Sequence, residues 1–136
     1  MSEPAYPPLS PYLMVRRGPE ALDWYQTAFA AKVVERYDME DGRLGHAILS
    51  INGGSLMLSD EFPESQAIIG TLSPEALGGT TSSINLSVGD VDAWYERAVA
   101  AGATSLRPPQ DEFYGRHAKL RDPFGHVWSI VGPTPA

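Results

Sequence analysis

Two stretches about seventy residues apart carry the same order of residues, and this duplication restricts the chain to folds built from two copies of one unit. The first runs Leu13-Met14-Val15, a turn, then Trp24-Tyr25-Gln26-Thr27-Ala28-Phe29-Ala30-Ala31. The second runs Leu86-Ser87-Val88, a shorter turn, then Trp94-Tyr95-Glu96-Arg97-Ala98-Val99-Ala100-Ala101. Further on, Gly45-His46-Ala47-Ile48-Leu49 is matched by Arg116-His117-Ala118-Lys119-Leu120. A site in such a chain is expected between or within the copies.

Each copy reads as a strand, a helix and three more strands. Tyr12 to Arg16 is short and apolar, and Gly18-Pro19 turns the chain into a helix whose first turn tolerates proline. Ala21, Leu22, Tyr25, Ala28 and Phe29 then recur at helical spacing, which predicts one buried face over 20–31. Lys32 to Tyr37 is extended, Asp41-Gly42 is a hairpin signal, and Leu44 to Ile51 and Ser55 to Ser59 flank the turn at Asn52-Gly53-Gly54. The second copy predicts a strand over 83–88, a helix over 91–101 with Gly102 at its end, and a short strand over 104–106. A break at Pro108-Pro109 follows, then strands over 117–121 and 127–131 on either side of Asp122-Pro123-Phe124-Gly125. The fold class is α+β: one domain over 1–136, with βαβββ modules over 9–59 and 82–132. The linker over 60–81 has little periodicity, and its length predicts that it packs over something or is functional.

Composition narrows the partners. A net charge of −7 argues against nucleic acid and anionic membrane, both of which need clustered Lys and Arg. It is compatible with a cationic ligand, though solubility explains it equally. The absence of cysteine removes disulfides, thiolate catalysis and thiolate-bound metals. The start, Met1-Ser2-Glu3-Pro4-Ala5-Tyr6-Pro7-Pro8, shows no leader pattern, and no stretch reaches the ~20 apolar residues of a membrane span. A cytoplasmic protein is expected.

Tyr12-Leu13-Met14-Val15, Ala21-Leu22-Asp23-Trp24-Tyr25, Leu56-Met57-Leu58-Ser59-Asp60-Glu61 and Phe113-Tyr114-Gly115 carry a resemblance, with Arg121-Asp122-Pro123-Phe124-Gly125-His126-Val127-Trp128-Ser129 the most specific part. The chain resembles the vicinal-oxygen-chelate superfamily, in its glyoxalase/bleomycin-resistance (PhnB-like) branch. That resemblance implies cup-shaped sheets, a homodimer and a small-molecule ligand. It leaves activity open, because the superfamily contains both enzymes and binders.

In the superfamily's enzymes, metal ligands stand on the first and last strands of each module. Carried over, those positions fall on Ser10 and Ser83, on Ser129, and on Met57 or, counted from Gly54, Leu58. A hydroxyl or thioether holds a divalent metal weakly, so no metal and no other cofactor is expected. Strand alternation places Ser83, Asn85, Ser87, His117, Lys119, Val127 and Ser129 on the cup side of the second module. In the first it places Ser10, Tyr12, Met14, His46, Ile48, Ser50, Ser55 and Met57 there. Such a face implies a hydrated hollow, a ligand pocket or polar dimer contacts; a plain solvated sheet face is the alternative. His46 and His117 occupy matching positions, but with no cup carboxylate assigned beside them they make a poor metal site. His126 is expected at the surface, and Trp24, Trp94 and Trp128 in packing.

Phe62, Phe113 and Tyr114 lie in loops, where they could stack on a planar ligand, and Asp60-Glu61 and Asp111-Glu112 beside them could attract a cation. The expected ligand contacts are Tyr12, His46, Met57, Asn85, Phe113, Tyr114, His117, Lys119 and Ser129. The functional expectation is a metal-independent protein resembling bleomycin-resistance proteins, sequestering a bulky or cationic organic ligand. The alternative is a glyoxalase- or dioxygenase-like metalloenzyme with a non-standard site around His46 and His117.

Overall fold

The structure, a computed structural model, describes residues 6–136. The expectation of no leader segment rests partly on residues 1–5, which lie outside the described residues. Two four-stranded mixed sheets follow one another along the chain. The first contains β1 (Tyr12–Val15), β2 (Lys32–Asp38), β3 (Leu44–Ile51) and β4 (Gly54–Asp60), in the order β1-β4-β3-β2. The second contains β5 (Ser83–Ser87), β6 (Thr104–Glu112), β7 (Gly115–Arg121) and β8 (Val127–Gly132), in the order β5-β8-β7-β6. In each, the first strand runs parallel to the last and the other pairs are antiparallel. Helix α1 (Gly18–Phe29) crosses the first module and α4 (Val91–Ala100) the second.

Local chemistry sets the ends of these elements. Pro19 sits in the first turn of α1, and Ala30 closes the helix in the left-handed region at φ 52°. Asp90 caps α4 by accepting from the Ala93 N–H. Asn52 and Gly53 both have positive φ, as a tight two-residue hairpin requires, and the Asn52 amide donates to Ser87 O of the second module.

The helix-facing sides of both sheets share one apolar core in which α1 packs against α4. Tyr25, Phe29 and Trp128 are almost wholly buried, with the Phe29 and Trp128 rings 4.6 Å apart between centroids. Trp24 donates from Nε1 to Ala101 O, and Trp94 stacks on Phe29, so these two paired tryptophans do pack. Side chains of this size stabilise the fold by roughly 1.5–3 kcal/mol each when buried.

Two expectations need correction, and the linker gains detail. Pro108-Pro109 does not break the chain: β6 runs through both prolines. It can do so because β6 is an edge strand and its pairing skips from Arg107 to Gln110, so neither proline owes the ladder an N–H. The linker, expected to pack over something, carries short elements of its own. It holds a 3-10 turn at Pro63–Ser65 and short helices α2 (Gln66–Ile69) and α3 (Pro74–Leu77), the last capped by the Ser73 side chain. His126 is buried, not at the surface, and its Nε2 donates to Met14 O at 2.8 Å, tying the second module to β1 of the first. Among the described residues no helix is long and apolar enough to cross a membrane.

Candidate ligand-binding site

The sheet faces turned away from the core carry the candidate residues. On the first sheet, cross-strand pairing aligns Glu35, Ile48, Met57 and Tyr12 in one row across β2, β3, β4 and β1. His46 lies one pleat along, its Nδ1 2.9 Å from the Tyr12 hydroxyl, with the two rings stacked at 5.7 Å. Glu35 Oε2 is 3.6 Å from His46 Nε2 and accepts from the Tyr6 hydroxyl. Burial pushes the Tyr12 hydroxyl above the ordinary phenol range, against an opposing contact with Ser59, so it stays protonated as a donor.

The linker forms the other wall on this side. A hollow of about 510 Å³ lies between Tyr12, Leu13 and Met14 of β1 and linker residues that include Thr71, Leu72 and Thr80, with His126 at its edge. A second, of about 430 Å³, continues from Tyr12, Met14 and Thr71 to Ser59, Phe62 and Ile69. Glu61 holds this wall in place: it pairs with Arg16 at 2.5 Å and accepts from both the backbone N–H and the hydroxyl of Ser73. Burial by itself would raise the Glu61 carboxyl, but Arg16 and Ser73 outweigh it and hold the group below the usual range.

On the second sheet the matching row is Arg107, Lys119, Ser129 and Asn85 across β6, β7, β8 and β5. The next row holds Gln110, His117, Val131 and Ser87. His117 Nδ1 is 2.7 Å from the Tyr114 hydroxyl, while its Nε2 is buried without a partner among the described residues. Burial, then the positive charges of Arg107 and Lys119, hold this imidazole below its usual range. Tyr114 is half exposed, and Phe113 is fully exposed, touching Tyr114 edge-on. A hollow of about 420 Å³ adjoins Tyr114, Ser87 and Val131.

The expected site residues therefore fall into two groups. Tyr12, His46 and Met57 share the first face; Asn85, Phe113, Tyr114, His117, Lys119 and Ser129 belong to the second. Neither the hollows under the linker nor the one beside Tyr114 contains members of both.

Sequence reasoning missed Glu35 and Arg107, and for the same reason. In β2 the register shifts between Val33 and Glu35; in β6 it shifts between Ser105 and Arg107. Each bulge absorbs one residue and turns the next onto the outward face, where simple alternation would put it inward. The repeat duplicates the bulge, which sets a carboxylate in one module and a guanidinium in the other. His46 accordingly does have a carboxylate beside it on its face, contrary to expectation.

The acidic loop residues also differ from expectation. Asp60 is buried and accepts from the Gly18 and Leu44 N–H groups, and Glu61 is engaged as above. Asp111 pairs with Arg116 and Glu112 with Arg107, while Arg43 already lies over the Phe62 ring at 4.4 Å. Asp60 and Glu61 are thus committed to the fold, and Asp111 and Glu112 to ion pairs at the surface.

Residues 9–130 match the family model described as Glyoxalase/Bleomycin resistance protein/Dioxygenase superfamily. The chain belongs to that superfamily. A Mycobacterium bovis protein, itself uncharacterised, is 43% identical over 131 residues, which cover 94% of this chain and 84% of that one. A Mycobacterium tuberculosis protein shows the same identity over 94% of this chain and 75% of its own. Among solved structures, TioX from Micromonospora is 27% identical with a TM-score of 0.68, covering 94% of this chain and 97% of TioX. The fosfomycin resistance protein FosX of Listeria monocytogenes has a TM-score of 0.69, covers 96% of each chain and, at 16% identity, shares the fold.

The superfamily's metal can now be tested against the residues present. Met57 pairs with Tyr12 as Ser129 pairs with Asn85, so Met57 is the structural match of Ser129, and the neighbouring Leu58 faces the core. The positions are thus Ser10, Met57, Ser83 and Ser129, a donor set of hydroxyls and a thioether that does not fit a divalent ion. Among the described residues no three His, Asp or Glu side chains converge elsewhere.

Proposed function

We propose that this chain is a metal-independent binding protein that sequesters a small organic molecule against its outward sheet faces, in the manner of a resistance protein. The observation that carries this reading is the replacement of ligating side chains by Ser10, Met57, Ser83 and Ser129 on a fold that otherwise keeps its hollows. Binding needs no nucleophile and no Lewis acid; it needs shape, apolar area and a few oriented polar groups. Met14 and Met57 supply adaptable apolar surface, Tyr12 and His46 a polar edge, and Phe113 and Tyr114 a rim for stacking. With Asp60 and Glu61 engaged internally, the rim favours bulk and planarity over positive charge.

Each face is open on one side in a single chain, and β2 and β6 leave unpaired strand edges. A homodimer in which one copy's first face meets the other's second would close the cup. Glu35 and Arg107, at matching places on those faces, have complementary charge.

Calorimetric titration of chelator-treated protein against planar natural products, bleomycin-type glycopeptides included, tests the reading. Binding with chelator present is expected, together with a sedimentation mass of two chains. Phe113→Ala should weaken binding by about 1–2 kcal/mol. Absence of heat and of thermal shift across the set, or binding only after metal is restored, would count against it.

A further inference from the structure

We propose that the outward face of the second module receives the anionic end of an organic ligand, a carboxylate or phosphate-type group, on Lys119 and Arg121. The inference rests on the binding function proposed above and adds the charge of what is bound.

The chain carries a net charge of −7, yet this one face is cationic. Arg107, Lys119 and Arg121 share it, since Arg107 pairs with Lys119, and Arg121 lies two residues further along the same strand. Arg107 is already paired with Glu112. Among the described residues the side chains of Lys119 and Arg121 make no hydrogen bond or ion pair. Like charges on neighbouring strand positions repel, so such a row is destabilising until an anion stands over it.

The fold does not require these cations. The first module builds the same sheet with Ile48 in the place of Lys119 and Glu35 in the place of Arg107. What the second module adds is donors: the Lys119 ammonium, the Arg121 guanidinium and, paired with Lys119 across the strands, the Ser129 hydroxyl. His117 points the same way. We assign the Tyr114 hydroxyl as donor to Nδ1, which leaves the ring proton on Nε2, a buried N–H without an acceptor. A surplus of donors without acceptors is satisfied by oxygen-rich anions, and a guanidinium–ammonium pair suits a carboxylate or phosphate-type group.

His117 also provides the readout, because burial and then the charges of Arg107 and Lys119 hold its proton affinity down. The His117 ring is titrated by NMR on the whole protein with phenylphosphonate, benzoate or benzamidine at millimolar concentration. Either anion, or both, should move the His117 midpoint upward by neutralising Lys119, and which one acts separates phosphate-type from carboxylate ligands. Benzamidine should leave it in place. Lys119→Gln and Arg121→Gln should each weaken anion binding by about tenfold while the His117 signal still shows a folded ring.

Equal binding of benzamidine, or unchanged anion affinity in both variants, overturns the proposal. So does a His117 midpoint that neither anion moves, since the row would then take no anion. Neutral ligands bound elsewhere on the faces would leave the binding function standing while this inference fails.

Discussion

Replacing Trp128 with alanine is expected to lower the unfolding free energy by about 3–5 kcal/mol, because the indole is almost wholly buried between Tyr25 and Phe29 and its removal leaves a cavity the aromatic cluster cannot refill. Its Nε1 also donates to Asp122 at 2.9 Å, so the substitution removes a buried hydrogen bond with the ring. Phe113→Ala should shift the urea midpoint hardly at all, since that ring is fully exposed. The pair of midpoints tests which strand face is the core. A stable Trp128→Ala protein and an unstable Phe113→Ala protein would move every site residue to the opposite face.

Asp122 carries the second large effect. Its Oδ1 accepts from the Phe124 and His126 N–H groups, shaping the turn before β8, and its Oδ2 accepts from the Tyr25 hydroxyl and the Trp128 indole. One buried carboxylate thus fastens the second module's turn to α1 of the first. Burial, with the Asp122 charge adding to it, holds the Tyr25 hydroxyl well above the ordinary phenol range, so it remains a donor. Asp122→Ala strands several buried donors and should cost about 3–5 kcal/mol in denaturant unfolding. Asp122→Asn should not rescue it, because its NH2 group faces donors where an acceptor is needed. An Asn variant within about 0.5 kcal/mol of the parent would show that the carboxylate is not required.

Much of this fold was legible in the chain. The repeat fixed the βαβββ order, and alternation around Leu86, Leu120 and Trp128 identified the core side of the second sheet correctly. Alternation failed where backbone regularity failed. The bulges before Glu35 and Arg107 have no signature in Val33-Val34-Glu35 or Ser105-Leu106-Arg107, because a bulge is set by the partner strand. Asp60 and Glu61 read as loop charges because their partners, the Gly18 and Leu44 amides and Ser73, lie far along the chain or belong to the backbone. His126 was misplaced for the same kind of reason: its acceptor is Met14 O, in the other module. That the two faces share no hollow within one chain follows from module packing, which no local pattern encodes.

If the proposed metal-free binding holds, elemental analysis of protein purified without chelator or affinity tag will find Zn, Ni, Mn and Fe well below one per chain, and exhaustive chelation will leave the ligand affinity of such protein unchanged. A stoichiometric metal, lost when either His46 or His117 is replaced, would contradict it.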